Sequence, residues 1–212
     1  SGIRPGRGAG SVAQPCRPAG KEVAVGILDV LFGRTRPVRS QLERLFAIST
    51  ARVTLETQIG LTPGQDAGVV FRPIQSGAFE ETEREIQELL ALSARETGAR
   101  VRQEQDDYGF HWVIVHDPDF EDLVASIHMV SLTLAEKGFR DQLLAAVFRF
   151  EKDGRPVYWI YNYKRGAFYP FVPAGPSRRD NGLELRFGAV MEKELPVEKQ
   201  TDQWYPLWGI PF

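Results

Sequence analysis

The side chains with the most capacity for chemistry are three histidines and two groups of carboxylates. His111 and His116 stand five residues apart in one stretch of strand-like sequence. An odd offset puts strand residues on opposite faces, so a regular strand cannot offer both to one metal ion. His128 falls beside an apolar helical stripe, where packing and a hydrogen bond suffice to hold an imidazole. Glu104, Asp106 and Asp107 crowd one turn, and Asp117, Asp119, Glu121 and Asp122 crowd the start of a helix. Paired acids held about 5–9 Å apart around a cleft hydrolyse glycosides. Here each group has a nearer structural use, solvating a turn or capping a helix. The single cysteine, Cys16, has no second thiol, and its Gly/Pro-rich surroundings hold no base beside it. No serine sits in a strand–turn–helix nucleophile elbow. The residues therefore predict no catalytic group, no cofactor and no metal site. The rival reading is a small-molecule-binding or hydrolytic domain, with Asp107, Asp117 or His111 set against an aromatic wall in a cleft.

The elements that would position these groups follow from periodicity. Ile27–Phe32 suits a short helix stopped by Gly33, docked on the core or serving as an amphipathic foot. Pro37 suits the first turn of another helix, with Val38, Leu42, Leu45 and Phe46 on its buried side. Residues 50–59 fit helix or strand equally, and Leu61–Gly64 reads as a turn. Gly68–Pro73 reads as a strand and Thr82–Leu92 as a helix with an acidic start. Ala99–Gln105 and Phe110–His116 form a hairpin about Asp106–Gly109. Asp117-Pro118-Asp119 starts a helix whose stripe is Phe120, Leu123, Val124, Ile127, Val130 and Leu134. Leu143–Phe150, Val157–Tyr163 and Ala167–Val172 make a meander. Its middle strand carries apolar bulk on both faces and so belongs inside a sheet. Leu183–Leu195 fits a strand or a last helix. The expected fold is α+β, an antiparallel sheet of five to six strands flanked by helices, as a single domain over residues 25–212. Residues 1–24, rich in Gly and Pro and without an apolar stripe, read as a disordered extension or as upstream or appended sequence.

Composition is that of an ordinary globular chain, with 42% hydrophobic and 25% charged residues. No apolar run approaches the roughly 20 residues that span a bilayer. The lone cysteine marks no oxidising compartment, so a cytoplasmic location is expected. Charge is uneven. Residues 1–40 hold seven Lys or Arg against two acids, leaving 19 against 26, a net −7, in residues 41–212. An acidic body does not attract a nucleic-acid backbone, and no nucleic-acid partner is expected.

Aromatic residues mark the candidate interaction surface. Tyr161, Tyr163, Phe168 and Tyr169 flank Lys164 and Arg165, and the chain's last stretch, WYPLWGIPF, adds Trp204 and Trp208. Tyr, Trp and Arg are the residues that protein interfaces favour, although alternation sends about half of the strand rings into the core. In the last stretch Pro206, Gly209 and Pro211 forbid a regular helix, so it should pack irregularly along the domain, anchored by Trp204 and Trp208.

Long strings of the chain resemble one family. They are VGILDVLFGRTRPV (25–38), GVVFRPIQSGAFEETEREIQELL (68–90), DYGFHWVIVHDPDFEDL (107–123), YNYKRGAFYPF (161–171) and WYPLWG (204–209). The sequence is similar to the PspA-associated protein PspAB family, found beside phage-shock protein A genes in actinobacteria and some archaea. Family members typically begin with Met at the position of Val25. The resemblance implies an accessory adaptor or regulator of an envelope-stress response, acting through protein contacts. The partners it implies are a PspA-type coiled-coil protein or neighbouring operon products. It implies a place near the inner face of the membrane, with room for peripheral contact, and it carries over no catalytic residues. Oligomeric state is not legible.

Overall fold

The structure, a computed structural model, describes residues 41–212. The helix expected at Ile27–Phe32 and all of residues 1–24 lie outside the described residues, as do Pro37 and Val38 of the next expected helix; of the rest of its buried side, Leu42 and Leu45 are buried but Phe46 is 39% exposed.

The described chain opens in a helical run: a 3-10 turn at Arg44–Phe46, helix α1 (Ala47–Thr54) and a π turn at Leu55–Ile59. Leu45, Ile48, Ala51, Leu55 and Ile59 are buried along it. Their spacing of three, then four, keeps one face on the core. Residues 50–59 are therefore helical. Gly60 ends the run at φ 71°, a left-handed conformation that favours glycine.

Strand β1 (Thr62–Phe71) follows at once. The turn expected at Leu61–Gly64 is not there. Thr62 already pairs with Glu151 and Pro63 with Phe150, and a register shift before Ala67 absorbs the proline. A Cβ on Gly64 would stand 2.9 Å from the Arg149 carbonyl oxygen. Close approach of the neighbouring strand, rather than a reversal, requires glycine at this point.

Helix α2 (Gly77–Thr97) covers the expected 82–92 segment and extends beyond it at both ends. Strands β2 (Arg100–Gln105) and β3 (His111–His116) form the expected hairpin, in register from Arg100 opposite His116 to Gln105 opposite His111. Helix α3 (Phe120–Glu136) starts where the aspartates place it: the Asp119 carboxylate accepts from the Glu121 and Asp122 amides. All six residues of its expected stripe are buried. Strands β4 (Leu143–Lys152), β5 (Arg155–Asn162) and β6 (Ala167–Phe171) make the meander. Helix α4 (Asn181–Met191), capped by Asp180, settles the ambiguous Leu183–Leu195 segment as a helix that ends at Met191.

The six strands form one antiparallel sheet in the order β2-β3-β1-β4-β5-β6. Its two faces are closed differently. One carries Val69, Val113, Phe148, Trp159 and Tyr161, packed under α1, α2, α3 and α4 in the larger core. The other carries Val70, Trp112, Val147, Tyr158 and Ile160. No helix lies over it among the described residues. The chain's last stretch does, with Trp204, Leu207, Trp208, Ile210 and Phe212 packed against it. The Phe212 ring comes so close that a Cβ on Gly68 would meet it at 2.9 Å.

Candidate functional site

Most of these histidines and carboxylates have structural partners, whereas His128 Nε2 and one oxygen of Asp117 are buried without a partner among the described residues. His111 and His116 lie on opposite faces of β3; the Nδ1 of His111 is 2.7 Å from Glu83 Oε1, and that of His116 is 3.0 Å from Asp66 Oδ1. His128 packs on the Phe46 ring with centroids 4.5 Å apart, and its buried Nε2 has no partner among the described residues. Burial lowers the His128 pKa from its ordinary value, against the opposing pull of Glu43. Asp106 holds the β2–β3 turn: one oxygen accepts from the Tyr108 and Phe110 amides, the other from Trp112 Nε1. Buried Asp117 accepts from the Asp119 amide. Among the described residues no group of three or more His, Cys, Asp or Glu stands close enough to hold a metal ion.

The eight aromatic and basic candidates do not share one exposed surface. Tyr161, Tyr163, Phe168, Tyr169 and Trp204 are buried, Trp208 is half-buried, and Lys164 and Arg165 are exposed. Tyr161 donates to the Gln41 carbonyl and Tyr163 hydrogen-bonds Ser131. Burial pushes the Tyr161 hydroxyl up to about 12 and also raises those of Tyr163 and Tyr169. These three phenols act as packed, hydrogen-bonded or neutral core groups rather than as acids or bases. Arg165 bonds Glu198, and that bond holds the Glu198 carboxyl below its ordinary value. Trp204 donates through Nε1 to the Glu198 carbonyl at 2.9 Å, and its ring fills the space over Gly188.

A trough of about 570 Å³ lies open at the end of the sheet where β1 finishes and β4 begins, lined by Val70, Leu144, Ala145 and Tyr169 from the tail-covered side and by Leu42, Leu143 and Tyr163 from the helix-face core. Its floor is apolar: Val70, Leu144, Ala145 and Leu207, with Phe110 beside them. Arg72, Arg140 and Lys164 converge on its rim, against the single acid Asp141. Arg140 bonds the Gln41 side chain. Arg72 and Lys164 are exposed, and neither side chain has an ion-pair or hydrogen-bond partner among the described residues. A second hollow of about 340 Å³ adjoins it, sharing Asn162, Lys164 and Tyr205 and adding Arg165. Tyr205, 54% exposed, stands between the two hollows. Asp107, Asp117 and His111, the residues of the rival cleft reading, line neither. Sequence reasoning singled out Lys164 and Arg165 but not Arg72, Arg140 or Tyr205. These come from separate connecting segments, and only the sheet topology brings them together.

A profile of PspAB, described as PspA associated protein B, matches residues 25–212. The chain belongs to the PspAB family. No curated protein and no solved structure matches it. Three of the strings that carry the PspAB resemblance supply the trough: 68–90 gives Val70 and Arg72, 161–171 gives Asn162, Lys164 and Tyr169, and 204–209 gives Tyr205 and Leu207. Among the described residues of this PspAB chain no helix is long and apolar enough to cross a membrane.

Proposed function

We propose that this PspAB protein is an accessory adaptor or regulator of an envelope-stress response, working on the cytoplasmic side through protein contacts. The observation that carries the reading is the open trough. It has an apolar floor, an exposed tyrosine and two cations, Arg72 and Lys164, without partners among the described residues, the mixture that protein interfaces use. Of the residues first singled out, Lys164, Arg165 and Trp208 remain solvent-accessible and belong to the proposed interaction surface, joined by Arg72 and Tyr205. The family description, which names PspA, supplies the first partner to try. Calorimetric titration with a PspA-type coiled-coil protein, and with neighbouring operon products, tests the reading. Saturable binding is expected. Folded protein that binds none of them at about 50 μM, a weak affinity by interface standards, would sink it.

A second reading draws on the trough's size, which falls in the range of small-molecule sites. A thermal-shift screen against anionic metabolites checks it, since ligand binding to the folded state raises the melting temperature. An unchanged melting temperature throughout would retire it.

A further inference from the structure

We propose that the trough receives an acidic amphipathic peptide segment of a partner protein. Its apolar side chains would sit on Leu144 and Leu207, and its carboxylates would face Arg72 and Lys164. This deepens the protein-binding reading and rests on it.

Charge is the first argument. Residues 41–212 carry a net −7, yet the trough rim gathers three cations against one acid. Elsewhere on this surface some cations are matched, Arg102 with Glu104, Lys137 with Glu85, Arg165 with Glu198 and Arg179 with Glu184, while others, Arg95 and Arg186 among them, stand single among the described residues. Arg72 and Lys164 likewise lack a match among the described residues; what sets them apart is their place at the rim of an apolar floor. Two cations unpaired among the described residues, at the edge of an apolar strip, complement a segment with carboxylates beside its apolar row.

Shape is the second. The apolar residues form a concave floor, and Tyr205 rises between the two hollows. A bilayer surface cannot descend into a trough, whereas an amphipathic membrane contact presents its apolar residues outward. A peptide lies along such a surface, and Tyr205 offers a rigid wall against it. Single-stranded nucleic acid would want several exposed rings for stacking, and along the two hollows Tyr205 is the exposed one.

The chain's own leading residues make a poor occupant on charge. Residues 1–40 hold seven Lys or Arg against two acids, so the stretch as a whole carries the sign of the rim, although Ile27–Phe32 within it is apolar with Asp29 as its one charge. The occupant is therefore assigned to another protein.

The test uses the full chain and a fluorescent peptide of Leu and Glu, about 18 residues long so that a helix can form, beside a twin with Lys in place of Glu. Fluorescence anisotropy should show the Glu peptide binding and the Lys twin not. Arg72→Glu with Lys164→Glu should weaken binding at least about tenfold, because like charges then face each other across the contact. Arg155→Glu, at the far end of the β4–β5 hairpin, should leave it unchanged. Raising salt from about 50 to about 300 mM should also weaken it, by shortening the reach of exposed charges. Arg72 and Lys164 are exposed and without partners among the described residues, so the double variant should melt like the parent, which circular dichroism verifies. Equal binding of the two peptides, or indifference to the double reversal, overturns the proposal. So does tighter binding to phosphatidylglycerol vesicles or to oligo-dT than to the Glu peptide. A PspA-type protein that binds parent and double variant alike would keep the adaptor reading and discard the trough as its site. Absence of binding to both the protein and the peptides would discard both.

Discussion

The two faces of the sheet are closed by different physics. On the helix face, four helices lay regular stripes on alternating strand residues, and Phe148, Trp159 and Tyr161 are fully buried. The tail face is covered by a strap that Pro206, Gly209 and Pro211 keep out of regular structure. Much of its grip comes from point attachments. Tyr158 donates to the Phe212 carbonyl at 2.8 Å, Arg102 donates to that of Pro211 at 2.6 Å, and Trp208 stands edge-on to Phe171 with centroids 5.2 Å apart. Beneath the strap's start, buried Glu184 accepts from the Val172 amide and from Arg179, and Arg179 also donates to the Trp204 carbonyl. Regular packing closes its face down to a hollow of about 250 Å³ beside Leu42, Glu43, His128 and Leu132, whereas the irregular strap leaves a larger gap at one end. That gap is the trough, and the difference explains why the candidate interface is on the tail side.

The comparison predicts unequal costs. Phe148→Ala should destabilise the fold by about 3–5 kcal/mol, and Trp208→Ala, half-buried on the strap, by about 1–2 kcal/mol in urea unfolding. Equal costs would mean that the strap is as integral as the helices. Glu184→Ala should cost about 3 kcal/mol, since it leaves the largely buried Arg179 unpaired in the clamp under the strap. A loss below about 1 kcal/mol, the scale of an exposed pair, would show that the clamp is dispensable.

A finer cut comes from a glycine under Trp204. A Cβ at Gly188 would stand 2.6 Å from the Trp204 ring. Gly188→Ala should therefore cost about 1–3 kcal/mol by overpacking and make the Trp204 fluorescence more open to a soluble quencher. Unchanged quenching would show that the indole already moves freely.

The smallest expected effect belongs to the helix face. The lowered pKa of His128 means that, as pH falls from 6.5, the unfolded chain takes its proton first. Stability linked to His128 is thus present above 6.5 and lost as pH falls through the lower folded value. His128→Leu should flatten that loss, read as a shallower dependence of the urea midpoint on pH. An identical slope in parent and variant would place the acid sensitivity elsewhere.

Most of the fold was legible because its strands and helices keep their periods. The odd residues of β5, Val157, Trp159 and Tyr161, and the even ones, Tyr158 and Ile160, go to the two cores that alternation assigns. The α3 stripe and the Asp119 cap read directly. Pro63-Gly64 misled because a proline–glycine pair signals a turn locally, while β4 lying against Gly64 is a long-range fact. Residues 50–59 were ambiguous because β-branched Val53, Thr54 and Thr57 weaken a helix signal that tertiary packing of Leu55 and Ile59 restores. The site was less legible. Aromatic richness drew the eye to Tyr161, Phe168 and Tyr169, whose bulk serves the two cores. The trough depends on Arg72, Arg140 and Lys164, distant along the chain, and no spacing rule joins them.

The proposed binding surface is the strap side of the sheet. Amide hydrogen exchange, with and without a saturating PspA-type partner, tests it most directly. Slowed exchange is expected at Arg72, across 162–165 and across 203–208, with the outward surfaces of α2 and α3 unchanged. Protection confined to those helices, with the trough exchanging as in the free protein, would contradict it.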